Sequence, residues 1–169
     1  MIYTREEVVE KTKDRIRERY PRDGSVFYLI RESFVLGFTS GCYDIFHADH
    51  LHFLREARKS LGPYGVLVVG VNSDRSTREL KGPGRPIISQ DLRAELVSNL
   101  MVDYVFIFDE LNNEANIKLL KPDVYFKGSD YNPENLGSAK FLEGGRVQII
   151  NSPKRLFTSQ IIKKIRNEV

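Results

Sequence analysis

Residues 38–58 read FTSGCYDIFHADHLHFLREAR, and the fold turns on how this stretch divides. An apolar run over 34–39 stops at Thr39, a polar turn containing Gly41 follows, and helical spacing takes over across 48–61. That sequence of signals is strand, turn, helix. Gly41 permits close approach to the backbone, and Asp44 precedes a helix whose early residues are His47 and His50. A spacing of three places both imidazoles on one helical face. They stand beside the free N–H groups and positive dipole end that attract phosphate. Two histidines there could donate hydrogen bonds to a triphosphate and stabilise charge developing on phosphorus. The alternatives are a surface or core histidine pair, with His52 close by, and a zinc site.

Working outward, the same alternation repeats. Apolar, β-branched or aromatic runs lie at 66–71, 104–108, 124–127 and 147–150. Helix-like segments lie between and after them at 90–101, 114–121, 138–143 and 158–167. Strands separated by helical stretches predict βαβ units and a parallel sheet, and nearly continuous apolar strands predict burial on both faces. The expected fold is an open, doubly wound α/β sheet of about five strands with flanking helices. Upstream, Thr4, Glu6 and Glu7 open a further charged helix that Pro21 and Gly24 would end. The expected division is a helical extension over 1–32 and one α/β domain over 33–169. Within 11–22, Lys and Arg alternate with Glu and Asp, which reads as a solvated helix face.

Composition narrows the function classes. The 169 residues carry 26 basic and 23 acidic side chains, a net charge of +3 without the clustered excess of a nucleic-acid binder. Cys42 is the sole cysteine, so no internal disulfide forms and a reducing compartment is expected. Cys42 has no evident base beside it and reads as a small packed side chain. No apolar run has the length of a signal peptide core or a membrane span. A cytoplasmic protein without nucleic-acid or membrane partners is the expectation.

In an open parallel sheet, ligands bind beyond the carboxyl ends of the strands, where strand order reverses. The connections there are 39–50, 71–81, 126–131 and 150–159. Asn72, Ser73 and Asp74 either face a nucleotide or cap a short helix. Lys81 stands in a glycine-flanked segment with Gly82 and Gly84, as a phosphate ligand or an ordinary loop lysine. Arg93 either approaches an anion or pairs with Asp91 or Glu95. Lys127, Gly128 and Asp130 end a strand at the ligand edge, and Thr158 caps a helix, with Ser159 beside it and phosphate contact as the open alternative.

GCYDIFHADH resembles the G-x-[FY]-D-x-x-H-x-G-H signature of the cytidylyltransferase-like nucleotidyltransferase superfamily. VGVNSDRSTRELKGPGRPI, KPDVYFKGSDY and FTSQIIKKI are similar, in order, to three further blocks of its heptose 1-phosphate adenylyltransferases. The likeness runs over roughly residues 34–167. It implies a Rossmann-like transferase in which His47 and His50 contact the triphosphate and stabilise the transition state at the α-phosphorus. By the same resemblance, Lys81 reaches the β- and γ-phosphates from a mobile loop and acts with the histidines as the catalytic set. Thr39, Ser40, Gly41, Tyr43 and Asp44 shape the loop around substrate phosphate and nucleotide. Asn72, Asp74, Arg93, Lys127, Gly128 and Asp130 complete the binding set, with Thr158 and Ser159 presenting hydroxyls and amides to phosphate. Mg²⁺ is the implied cofactor, and a homodimer is the implied assembly.

The chain departs from the signature at Asp49, where the family has glycine, and at Phe157, where serine is expected. Asp49 adds bulk and negative charge where phosphate should approach. It could instead support the first helical turn, help hold Mg²⁺, or weaken turnover. The leading expectation is a nucleotidyltransferase, ATP preferred, acting on a sugar 1-phosphate such as a heptose 1-phosphate and releasing pyrophosphate. The alternatives are a CTP-dependent enzyme for glycerol phosphate or another phospho-alcohol, and a nucleotide-binding regulatory protein with little turnover. A dinucleotide-binding dehydrogenase is disfavoured because no G-x-G-x-x-G follows the first strand.

Overall fold

The computed structural model describes residues 1–18, 35–131, 137–153 and 157–168. Strand β1 is Ile2–Tyr3, helix α1 Arg5–Glu18, β2 Leu36–Gly41 and α2 Ala48–Ser60. They are followed by β3 Val66–Asn72, α3 Asp74–Lys81, α4 Gln90–Ser98 and β4 Tyr104–Phe108. Helix α5 Glu114–Leu120, β5 Val124–Gly128, a 3₁₀ turn Ala139–Phe141, β6 Arg146–Ile150 and α6 Thr158–Glu168 complete the chain. The strands form one sheet in the order β1-β4-β3-β2-β5-β6, and every pairing is parallel.

The Rossmann-like doubly wound fold is therefore present, with six strands rather than about five. The added strand is β1, whose Ile2 and Tyr3 sit opposite Val105 and Phe106 of β4. Two residues carry no periodicity, so no sequence pattern could announce it. The residues on either side of the expected boundary at 32, including Pro21 and Gly24, lie outside the described residues. Strand β2 runs two residues past Thr39, because Ser40 and Gly41 still align with Gly70 and Val71 of β3. Lys81 is the last residue of α3 rather than part of a loop. That helix exposes a mainly polar face and lacks the apolar stripe that would mark it in sequence.

The two faces of the sheet are filled by different helices. On one, Leu54, Ala57, Ala94 and Val97 of α2 and α4 pack with Leu67, Val69, Val71 and Phe126. On the other, Val8 of α1 and Ile117 and Leu120 of α5 pack with Phe38, Val68, Phe106 and Tyr125. Phe38 stacks between Phe106 and Tyr125, with ring centroids 6.2 and 5.6 Å away. A side chain at Gly37 would come within 2.7 Å of Leu61 and Phe126, so the sheet and α2 meet closely only because this residue is glycine. From β2 the chain moves to β3 on one side, whereas β5 takes the other. Strand order thus reverses between β2 and β5, and the carboxyl ends of these strands open a crevice. Thr39 Oγ1 fastens the two by donating to the Phe126 carbonyl at 3.1 Å.

Candidate functional site

A cavity of about 520 Å³ occupies that crevice. Its floor is the turn after β2, a strained piece of backbone: Tyr43 and Ile45, neither glycine, have φ of 52° and 48°. Non-glycine residues hold the left-handed region only when their surroundings compel it, at roughly 1–3 kcal/mol each. The compelling group is Asp44, 1 % exposed. Its carboxylate accepts from Arg85 Nε at 2.5 Å and from the Ile87 and Ile88 N–H groups at 3.0 Å. Its backbone carbonyl accepts the Thr158 hydroxyl at 2.8 Å. One residue thus ties the β2–α2 turn to the segment after α3 and to the start of α6. Burial by itself would raise the Asp44 carboxyl, but the Ile88 and Ile87 amides and the Arg85 guanidinium outweigh it and hold the group below its ordinary value.

Above this floor, His47 is the N-cap of α2 and His50 its third residue. His47 Nδ1 accepts the Asp49 N–H at 3.3 Å, and His50 Nδ1 accepts the His47 N–H at 3.4 Å. The two rings stack with centroids 3.9 Å apart, and Tyr43 and Phe46 pack against His50 at 5.5 and 5.3 Å. An Nδ1 that accepts a hydrogen bond cannot carry the proton, so each neutral ring holds its proton on Nε2. The helix cap therefore leaves each ring an Nε2–H donor, and both residues line the cavity. Desolvation lowers the His47 pKa against the pull of Asp49. The same cause, joined by His47, pushes His50 down to about 4 despite Asp49 and Asp44. The neutral donors are thus the resting forms at neutral pH.

This arrangement has a consequence for stability. A base whose pKa is lower folded than unfolded favours the folded state above its unfolded value of about 6.5. Resistance to urea should be pH-independent for this group above about 6.5 and decline as pH falls toward about 4. Urea midpoints of the protein and His50→Gln between pH 7.5 and 4.5 would check this, the substituted chain losing less. Equal slopes would contradict the assignment.

Around the histidines the cavity is lined by Thr39, Ser40, Gly41, Tyr43, Asp44, Asn72, Lys81, Lys127, Gly128, Asp130, Thr158 and Ser159, all sequence candidates. Lys127 is 7 % exposed, with its ammonium 5.0 Å from the Tyr125 ring centre and 4.6 Å from that of Tyr131; burial lowers its pKa. Asn72 donates to Ser76 Oγ at 2.9 Å. Thr158 is the first residue of α6, and its hydroxyl is given to Asp44 rather than to capping the helix. Asp49 is 7 % exposed and lines the cavity beside both histidines.

Two candidates are elsewhere. Arg93, 2 % exposed, does not line the cavity. Its guanidinium donates to the carbonyls of Ile88 and Cys42 and to Asp74 Oδ1, the last at 2.8 Å. It pairs with neither Asp91 nor Glu95; with Asp74 it braces the β2–α2 turn from behind. Ser73 caps α3 by accepting from Ser76 N–H, which leaves Asp74 free for Arg93. Conversely, Arg85, Asn113, Tyr131, Phe53 and Ser152 line the cavity without having been singled out. Arg85 had a signal, the Arg-Pro that closes the glycine segment; the others had none. His52 sits off the cavity, its Nε2 3.2 Å from the Asn151 carbonyl oxygen.

Among the described residues no three His, Cys, Asp or Glu side chains gather as a metal cage, and no helix is long and apolar enough to cross a membrane. The donor set suits an ion that arrives on a phosphate chain. Mg²⁺ commonly keeps its waters and takes one or two carboxylates plus phosphate oxygens, and Asp49 is a carboxylate at the cavity wall.

The cytidylyltransferase-like family profile matches residues 38–160. Bifunctional protein HldE of Syntrophotalea carbinolica is 44% identical over 131 residues, 76% of this chain and 26% of that protein. The protein of the same name from Campylobacter fetus is 43% identical over 130 residues, 76% of this chain and 27% of its own. The chain therefore spans about a quarter of the length of these relatives. Among solved structures, a lipopolysaccharide core biosynthesis protein from Thermoplasma volcanium shares 28% identity at a TM-score of 0.58, over 72% of this chain and 98% of that one. Pantothenate synthetase from Thermus thermophilus, 15% identical at a TM-score of 0.54 over 99% of this chain and 69% of that one, shares the fold.

Proposed function

The chain belongs to the cytidylyltransferase-like family, and from that premise we propose that it transfers AMP from ATP to a sugar 1-phosphate such as a heptose 1-phosphate, releasing pyrophosphate. The observation that carries this reading is the pair of Nε2–H donors fixed by the α2 cap on residues that line the crevice. An acceptor phosphate oxygen attacks the α-phosphorus, the bond to the bridging oxygen breaks in line, and pyrophosphate leaves with the electron pair. The attacking oxygen is already ionised, so no general base is required. Transfer of this kind needs positioning and charge stabilisation rather than a covalent nucleophile. His47 and His50 donate to the α-phosphate oxygens as negative charge accumulates. Lys81 at the end of α3 and the Thr158–Ser159 amides at the start of α6 hold the leaving phosphates. Mg²⁺ bound with the triphosphate would neutralise its charge, with Asp49 as the protein ligand. The ATP preference rests on the likeness to the heptose adenylyltransferase blocks; CTP with a phospho-alcohol is the competing pair.

Pyrophosphate release measured with ATP or CTP against heptose 1-phosphate and glycerol phosphate decides among these. Release with ATP and heptose 1-phosphate is the expected result, and release with no pair would sink the enzymatic reading.

A second reading is favoured by the buried carboxylate of Asp49 in the cavity wall: a nucleotide-binding protein with little turnover. A like charge a few ångströms from a phosphate costs on the order of several kcal/mol at intermediate dielectric. On this reading Asp49→Gly should raise pyrophosphate release at least about tenfold. On the enzymatic reading, in which Asp49 serves the metal, the same change should lower it and weaken its dependence on Mg²⁺.

A further inference from the structure

We infer that the Asn113 amide is an acceptor-binding donor, turned toward the cavity by a relay that begins at Arg5 in the N-terminal segment. The inference rests on the sugar-phosphate reading above for the identity of the acceptor, and on the following contacts for the geometry. Arg5 Nη1 donates at 2.8 Å to Glu110 Oε1 and at 2.8 Å to Asn116 Oδ1. Asn116, fully buried, donates through Nδ2 to Asn113 Oδ1 at 3.2 Å. Asn113 lines the cavity.

The direction of this relay follows from chemistry alone. A guanidinium has five N–H donors and no acceptor. Asn116 must therefore present its carbonyl oxygen to Arg5, which points its NH₂ at Asn113. Asn113 must answer with an oxygen, and its own NH₂ is left over. That group is not spent on the helix: Asn113 is the N-cap of α5 and makes no side-chain capping bond. Its one further polar neighbour among the described residues is the Tyr125 hydroxyl. Asn113 therefore turns its NH₂, rather than the oxygen that Asn116 occupies, toward the Tyr125 hydroxyl and the crevice beside it.

A second observation marks the same spot as incomplete. The Tyr125 hydroxyl is fully buried and has no hydrogen-bond partner among the described residues. Its polar neighbours are Ser138, Ser40 and Asn113. Ser40 and the Lys127 ammonium line the cavity as well, and Lys127 lies over the Tyr125 ring. Amide, ammonium and hydroxyl donors thus collect on the α5 side of the sheet, opposite the α2 side that carries the histidines. Amide and ammonium donors with hydroxyls among them suit the oxygen-rich surface of a phosphorylated sugar.

The relay also gives the N-terminal segment a task. Strand β1 pairs with β4 and Val8 is fully buried, so Arg5 is held from both sides as it reaches the β4–α5 connection. That connection is gripped from α3 too: Ser76 Oγ donates to the Glu110 carbonyl at 3.1 Å and Arg75 Nε to Asp109 Oδ2 at 2.7 Å. Arg5 and Asn116 are positioning residues, and Asn113 alone touches the acceptor.

Steady-state pyrophosphate release with heptose 1-phosphate and ATP tests this. Asn113→Asp, which replaces the donors by oxygens, should raise the KM for heptose 1-phosphate at least about tenfold while changing the KM for ATP less than about twofold. Arg5→Ala and Asn116→Leu should each raise the acceptor KM about threefold to tenfold by freeing Asn113 to flip. The double substitution should add nothing beyond either alone, and Arg5→Lys should restore part of the loss. A merely structural role for Arg5 would instead lower thermal stability and leave the ratio of the two KM values unchanged. An unchanged acceptor KM in Asn113→Asp overturns the inference. If the protein itself turns over no acceptor, the sugar-phosphate reading fails separately. The Asn113 side-chain ¹⁵N–H resonances, titrated with heptose 1-phosphate and with inorganic phosphate, then decide. A shift that Asn116→Leu diminishes upholds the relay, and no shift with either probe overturns it.

Discussion

His50→Ala is expected to lower kcat by about two to three orders of magnitude while the KM for ATP changes little, the loss typical of removing one donor to a developing oxyanion. The expectation follows from the double duty of this ring. Its Nδ1 accepts the His47 N–H, and that contact fixes the remaining proton on Nε2. Removing the ring deletes one donor and releases the backbone that aims the other, since His47 is itself held by the Asp49 N–H. His47→Ala should therefore cost a similar factor, and the double substitution should cost much less than the product of the two. His50→Gln, which keeps an amide donor but cannot reproduce the cap, should fall in between. Pyrophosphate release under saturating substrates would read these effects, with thermal midpoints recorded alongside to separate catalysis from folding. A loss below tenfold in His50→Ala would remove the histidine pair from the chemistry.

The second large effect is expected at a residue that spends its carboxylate on no ligand. Asp44→Asn should destabilise the fold by about 3–5 kcal/mol, the cost of breaking a buried ion pair by changing one partner. Its side chain is fully buried, and that of Arg85 is 16% exposed. Asparagine retains one acceptor oxygen but turns an NH₂ toward Arg85 or the Ile87 and Ile88 amides, all of them donors. The Asp44 carbonyl also holds Thr158, so the start of α6 shifts with the turn. Misplacement by about 1 Å can cost a hundredfold in rate, and kcat/KM should fall at least that far. Because the carboxyl pKa is lowered in the fold, its contribution is complete above the unfolded value of about 3.9 and lost as pH falls below it. Urea midpoints should thus separate the protein from Asp44→Asn at pH 7, and the gap should narrow once pH falls below about 3.9. Full stability of the variant at pH 7 would contradict this role.

The fold was legible because its signals are local. Buried strands such as 66–71 and 124–127 announce themselves as apolar runs, and the intervening helices by their period. What escaped lacked a local signal. Strand β1 has two residues and exists only because β4 has an open edge to receive it. Helix α3 is mostly polar, and its identity rests on the Ser73 cap and on packing beneath it. At the site, the histidine pair, Lys81, Lys127 and the residues of the β2–α2 turn could be named from their places at strand ends. Their division of labour could not. Arg93 reads as an anion ligand until its guanidinium is seen to be committed to Ile88, Cys42 and Asp74. Arg85 and Asn113 acquire a role only once Asp44 and Asn116 give them partners.

By itself, then, the sequence determined the strand–turn–helix order, the parallel sheet and the crevice edge to which the polar residues are delivered. These follow from hydrophobic period and turn chemistry, which act over a few residues. Only the tertiary structure decided which polar groups remain available to a ligand and which are consumed in holding the turn. Hydrogen-bond capacity is finite and partners come from distant segments: Arg85 and Thr158 reach Asp44, and Arg5 reaches Asn116 across 111 positions. The His-x-x-His pair lies on both sides of this line. Its spacing is written in the chain, whereas the direction of its protons is set by the backbone of the folded cap.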